Sequence, residues 1–254
     1  MKKVSILVLM AALLLLNTTP TFANYSFRAN AGMHLATMEF EQFFNPEAKE
    51  RSLTLWQVIV TGQMEPTDDL LLLIKHGVGL GSKIDGKTLG KNQDMDQTLT
   101  QASLLYQFYA IDQLAIYGGL GYHFVEDNYK NLITNGDKTV TFARVTGSGF
   151  TAASQVNFNV SDKLMIKANI FAAPWYNWSF TSSPLEGSTK GSNYSYNLVA
   201  EYDLFDQLSV QLGYNGSRSR IGEIKGTEMS IPTTKFTTDS IQLGVTYRFK
   251  NHKP

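Results

Sequence analysis

Asp206-Gln207-Leu208-Ser209-Val210-Gln211-Leu212-Gly213-Tyr214-Asn215 joins a turn to a strand. Leu208, Val210, Leu212 and Tyr214 take every second position and alternate with Ser209, Gln211, Gly213 and Asn215. Successive side chains of an extended chain point to opposite faces, so this period of two reads as a β-strand with one apolar face and one small or polar face. The leading Asp suits a tight turn, because its carboxylate can accept hydrogen bonds from nearby backbone N–H groups.

The same Asp-x-Leu pattern stands at Asp68-Asp69-Leu70, Asp112-Gln113-Leu114 and Asp162-Lys163-Leu164, at intervals of 44, 50 and 44 residues up to Asp206. One further step back from Asp68 reaches Asn24, and one step forward from Asp206 reaches Lys250. This register divides residues 24–249 into five hairpin units, which predicts ten strands, with eight or twelve as the alternatives. The alternation recurs at Phe27, Ala29, Ala31, Met33 and Leu35, and at Tyr194, Tyr196, Leu198, Ala200 and Tyr202.

Residues 1–23 are expected to be a cleaved signal peptide. Lys2 and Lys3 form a basic start, Val4 to Leu16 is an apolar core broken only by Ser5, and Thr21-Phe22-Ala23 is a small-x-small cleavage site. The 254-residue chain has 22 basic and 22 acidic residues, so removing Lys2 and Lys3 leaves 20 against 22. That balance gives no attraction to polyanions, and nucleic acid is not an expected partner. The absence of Cys excludes disulfides, thiolate metal sites and thiol nucleophiles.

Long polar connections are read at about 39–52, 83–96, 125–139, 175–193 and 216–236, whereas the Asp-containing turns are short. Aromatic residues gather near the tight turns at Phe108, Tyr109, Phe158, Tyr202, Phe205, Tyr247 and Phe249. Others gather toward the long loops at Tyr122, Phe124, Trp175, Tyr176, Trp178 and Tyr214. Long loops on one side, tight turns on the other and two aromatic girdles predict an all-β fold, a closed antiparallel transmembrane β-barrel, rather than a soluble sandwich.

The last strand, Gln242-Leu243-Gly244-Val245-Thr246-Tyr247-Arg248-Phe249, resembles the C-terminal assembly signal of bacterial outer-membrane β-barrel proteins, carried here by Gln242, Gly244, Tyr247 and Phe249. The resemblance implies an outer-membrane location and dealings with the barrel-assembly machinery, periplasmic chaperones, outer-membrane lipids and lipopolysaccharide. The chain departs from that pattern in Lys250 to Pro254, a short polar tail after the terminal aromatic.

No complete catalytic set is legible in the sequence. Omptin-type proteases pair an Asp-x-His with two carboxylates; Asp94-x-Asp96 imitates the carboxylates, but the sequence has no Asp-x-His. Asn215-Gly216-Ser217-Arg218-Ser219-Arg220 resembles the Ser segment of outer-membrane phospholipases and lipid A deacylases, yet Asn215 stands where those families place the His that activates the Ser. Of the four His, His252 lies in the tail, His34 and His123 face the lumen by phase, and His76 falls in the row of Leu72, Ile74, Val78 and Leu80. No cofactor or metal site is legible.

By the same phase Arg28, Lys75, Lys167, Glu201, Asp203 and Arg248 project inward. Charges inside a narrow barrel must pair or be wet, so this row predicts a filled lumen rather than a wide pore. The function expected is a non-enzymatic surface-binding or envelope structural barrel. Trp175, Trp178, Arg218, Arg220 and Lys225 are its candidate ligand contacts in long loops. The alternatives are a narrow channel for small solutes or ions, and an envelope lipid hydrolase or omptin-like protease.

Overall fold

The computed structural model describes residues 26–41, 51–79, 82–83, 94–133, 139–182, 186–225 and 230–249. The expected signal peptide and the tail Lys250 to Pro254 lie outside the described residues. Ten long strands carry the fold: β1 Ser26–Glu41, β2 Arg51–Thr67, β3 Leu70–Gly79, β4 Asp94–Ile111, β5 Leu114–Ile133, β6 Thr139–Asn159, β7 Leu164–Thr181, β8 Glu186–Phe205, β9 Leu208–Ile221 and β10 Thr234–Phe249. Each pairs antiparallel with its neighbours in sequence, and β1 pairs with β10, so the sheet closes into a ten-stranded barrel with no free edge. Two-residue strands at Ser82–Lys83, Ile224–Lys225 and Ser230–Ile231 decorate the crest.

A membrane strand needs about 9–11 residues. The 20 residues of β5 and 21 of β6 are twice that, so much of the barrel stands beyond the apolar band. The polarity of the wall changes there. On β1, the lower outward residues are Phe27, Ala29, Ala31, Met33 and Leu35 and the inward ones Arg28, Asn30 and His34; above, Thr37 and Glu39 face out and Ala36 and Met38 face in. On β8 the outward row runs from Tyr202, Leu198, Tyr196 and Tyr194 to Ser192, Lys190 and Ser188. Lipid outside permits a polar lumen, whereas water outside requires an apolar one. The projecting half therefore holds a hydrophobic core of Met38, Leu53, Leu55, Met95, Tyr129, Val145, Tyr176, Trp178, Phe180, Ile221 and Phe236.

This inversion corrects the loop boundaries expected from sequence. Residues 125–133, 175–181, 186–193 and 216–221 are strand, not loop, because their outward face is wetted and no longer apolar. Trp175 does face outward and is 85% exposed, but Trp178 is 3% exposed and Tyr176 is fully buried, so neither belongs to the outer girdle. The cause is a bulge. Ala173 pairs with Asn193 while Tyr176 pairs with Gly191, leaving one extra residue in β7 at Pro174, which cannot donate to the ladder. Inward positions accordingly switch from Lys167, Asn169, Phe171 and Ala173 to Tyr176, Trp178 and Phe180. The rings fit because the facing residues are glycines: a Cβ on Gly147 would lie 2.4 Å from Tyr176 Cε1, and one on Gly191 would lie 2.8 Å from Trp178 Cδ1.

Candidate lumenal site

Below the apolar core the lumen is polar, and its floor is an ion-pair network assembled from β7, β8, β9 and β10. Lys167 Nζ donates to Glu201 Oε2 at 2.6 Å, and Arg248 Nη2 donates to Glu201 Oε1 at 2.7 Å. Arg248 also forks onto Asp203 at 2.6 and 2.5 Å. Gln211 Nε2 donates to Glu201 at 2.7 Å and the Ser209 hydroxyl to Asp203 at 2.7 Å. Two cations thus meet two carboxylates, and Gln211 and Ser209 add one neutral donor to each carboxylate. A fully buried Glu201 is tolerable only on those terms, since an unpaired charge there would lose its hydration without compensation.

Above the floor the amides join end to end. Asn30 Nδ2 donates to Gln211 Oε1 at 2.8 Å, and Asn215 Nδ2 donates to Gln242 Oε1 at 3.0 Å and to His34 Nδ1 at 3.2 Å. Two cavities of about 110 and 80 Å³ occupy the middle of the barrel, and both are lined by His34, Ile59, Lys75, Phe171, Asn197 and Asn215. Lys75 stands in a transverse row in which Asn30, Thr61, Lys75, Gln101 and His123 are successive cross-strand partners from β1 to β5. His123 Nδ1 lies 2.6 Å from the Tyr176 hydroxyl.

Higher still, Gln57 donates to Gln97, and Gln97 Nε2 donates to Asp127 Oδ1 at 2.8 Å. Asp127 stands above the outward Tyr122 and Phe124, beside the outward Glu126 and Asn128, and so outside the apolar band. Burial, with help from the neighbouring Glu126 charge and against the Gln97 hydrogen bond, pushes its carboxyl up to about 7.

All six charged residues assigned to the lumen by phase lie on its inner wall. Arg28, Lys75 and Lys167 line the lower cavity and Glu201, Asp203 and Arg248 form the floor. The surface candidates are dispersed. Arg218 and Arg220 lie on the outer wall of β9, where Arg218 pairs with Asp239 at 3.2 Å beside Tyr214, whose hydroxyl donates to the same carboxylate at 2.7 Å. Lys225 meets Glu223 at 3.5 Å on the crest. Trp178 is not a surface contact at all, for the reason of the bulge. Ser217 and Asn215 face the lumen, Asp96 faces outward, and His76 faces outward with Nδ1 3.0 Å from Thr100 Oγ1. Asn215, not a histidine, stands beside Ser217 on the lumenal wall, and among the described residues no three His, Asp or Glu side chains converge as metal ligands.

In the last strand Gln242 accepts from Asn197 and Asn215, Gly244 lies opposite Gly32, and Tyr247 and Phe249 face outward at the lower girdle. The Phe249 ring lies 5.1 Å from that of Phe27, joining the two ends of the barrel. Sequence reasoning missed Gln101, the His123–Tyr176 contact and Asp127; each depends on cross-strand register, which a single sequence does not display.

The model of the outer membrane protein beta-barrel domain family matches residues 9–249. No curated protein matches the sequence. Among solved structures, the outer membrane protease OmpT from Escherichia coli superposes with a TM-score of 0.57 at 10% identity, covering 92% of this chain and 99% of that one. The translocator domain of the autotransporter NalP from Neisseria meningitidis superposes with a TM-score of 0.51 at 13% identity, covering 98% and 96%. At such identities the likeness is one of fold.

Proposed function

We propose, from the premise that this chain belongs to the outer membrane protein beta-barrel domain family, that it is a non-enzymatic outer-membrane barrel presenting a raised, rigid crest for binding at the cell surface. One observation carries the reading: the part of the barrel beyond the apolar band is polar outside and filled with apolar side chains inside. Such a core does not help a water-filled pore. It does hold a protruding wall in one shape, which lets a surface contact form without an ordering cost. The ligands that suit the crest are glycans or matrix components reached by Trp175, Lys225 and the connectors. On the outer wall, Arg218 and Arg220 are suited to lipopolysaccharide phosphates. Assembly through the barrel-assembly machinery and periplasmic chaperones belongs to the same reading.

The test replaces the connectors 84–93 and 226–229 with Gly/Ser segments of equal length, leaving every strand intact, and measures whole-cell binding to glycan and matrix arrays. Folded barrel with binding lost is the expected result. Binding that survives both replacements overturns the crest reading. The alternative of a narrow channel draws on the two polar cavities that share lining residues. Steady single-channel conductance of the parent protein in planar bilayers would favour it over surface binding.

A further inference from the structure

We propose that the lumen holds a binding site for a small inorganic monoanion of halide size, built around Lys75 and Gln101. Four observations converge. First, Lys75 lines both mid-barrel cavities, and among the described residues it has no hydrogen-bond or ion-pair partner. The lumenal carboxylates are engaged elsewhere: Glu201 and Asp203 with Lys167 and Arg248, Asp127 with Gln97, and Glu65 with the Ser26 hydroxyl at 2.5 Å. An ammonium inside a barrel wall surrounded by lipid needs a counter-charge, and among the described residues no carboxylate forms an ion pair with it, Asp127 of the same upper cavity being bound to Gln97.

Second, Gln101 is the direct cross-strand partner of Lys75, and the two side chains leave the wall on the same face. Gln101 is 3% exposed, lines the upper cavity, and its Nε2 is buried with no hydrogen-bond partner. A buried amide donor left unused is destabilising, so this is where an acceptor is wanted. Third, His34 and His123 line the upper cavity. His34 Nδ1 accepts from the Asn215 amide, which leaves its Nε2–H as a further donor, whereas His123 Nδ1 is held against the Tyr176 hydroxyl at 2.6 Å. Fourth, the cavities are small, about 110 and 80 Å³, which suits one compact anion rather than a polyanion. Lys75, the Gln101 amide and the His34 imidazole supply donors to one cavity, as an anion requires, and the carboxylate that also lines it, Asp127, is engaged by Gln97.

The site stands apart from the proposed crest, so each can fail without the other. The experiment uses the full mature barrel refolded in detergent. Its unfolding midpoint is measured while sodium bromide replaces sodium gluconate at constant ionic strength, gluconate being too large for the cavity. The parent is expected to gain stability saturably with bromide. Gln101→Leu should weaken the apparent bromide affinity by about tenfold, the worth of one charge-assisted hydrogen bond. Lys75→Met should abolish the response. Because Lys75→Met can disturb folding, Gln101→Glu is the second variant. It places a carboxylate opposite Lys75 as an internal counter-ion, and the barrel should fold in gluconate alone and ignore bromide. Crystals grown in bromide should give an anomalous peak within hydrogen-bonding distance of Lys75 Nζ and Gln101 Nε2. A bromide response equal in parent and Gln101→Glu, or no response and no peak in the parent, overturns the site.

Discussion

Trp178 lies directly opposite Gly147 across the β6–β7 ladder, and a Cβ on that glycine would come within 2.6 Å of the indole ring. The missing side chain on one strand is the space occupied by the ring of the next. Because Trp178 lines the upper cavity, this pair shapes the interior at that level.

Gly147→Leu is expected to expel the Trp178 ring and to destabilise the barrel by more than Trp178→Ala, which should cost about 3–5 kcal/mol through the cavity it leaves. Urea unfolding followed by tryptophan fluorescence and by heat-modifiable gel mobility reports both. A Gly147→Leu barrel as stable as the parent would mean that the packing of β7 is different.

Asp127 predicts a pH dependence. Its folded carboxyl titrates near 7, above the 3.8 of a free Asp, so between those values the folded state binds the extra proton. Its contribution is most favourable at low pH, falls as pH rises toward 7, and is level above, by at most about 4 kcal/mol. Asp127→Asn should flatten that slope and be more stable than the parent at pH 8. Unfolding midpoints of both proteins across pH 4–8 decide it, and parallel curves would refute the assignment.

Glu201→Gln leaves Lys167 and Arg248 facing one carboxylate instead of two, and should cost about 3–5 kcal/mol. Removing a cation as well, with Lys167→Met and Glu201→Gln together, should recover part of that loss, because the orphaned charge disappears. A double variant that is as unstable as the sum of the singles would show that Lys167 and Glu201 act independently.

Polar replacement of Tyr247 and Phe249 should lower the folded, outer-membrane fraction more than deletion of Lys250 to Pro254. These rings lie 4.9 Å apart on the lipid face of the closing strand, and Phe249 packs on Phe27. Heat-modifiable mobility of membrane fractions measures the folded share; equal losses from both changes would give the tail a role in assembly.

The sequence by itself determined the barrel. The Asp-x-Leu register counted the hairpins, and the period of two placed Arg28, Lys75, Lys167, Glu201, Asp203 and Arg248 on the inner wall, because lipid outside forces the apolar row outward. That logic holds only while lipid is the outer solvent. Where the strands rise into water the polar row turns outward, so wall segments such as 216–221 look like loop in the sequence. Only the tertiary structure decided the rest. A single extra residue at Pro174 reverses the facing of Tyr176, Trp178 and Phe180, and register alone makes Gln101 the partner of Lys75, since pairing between strands is a property of the closed sheet and not of either strand.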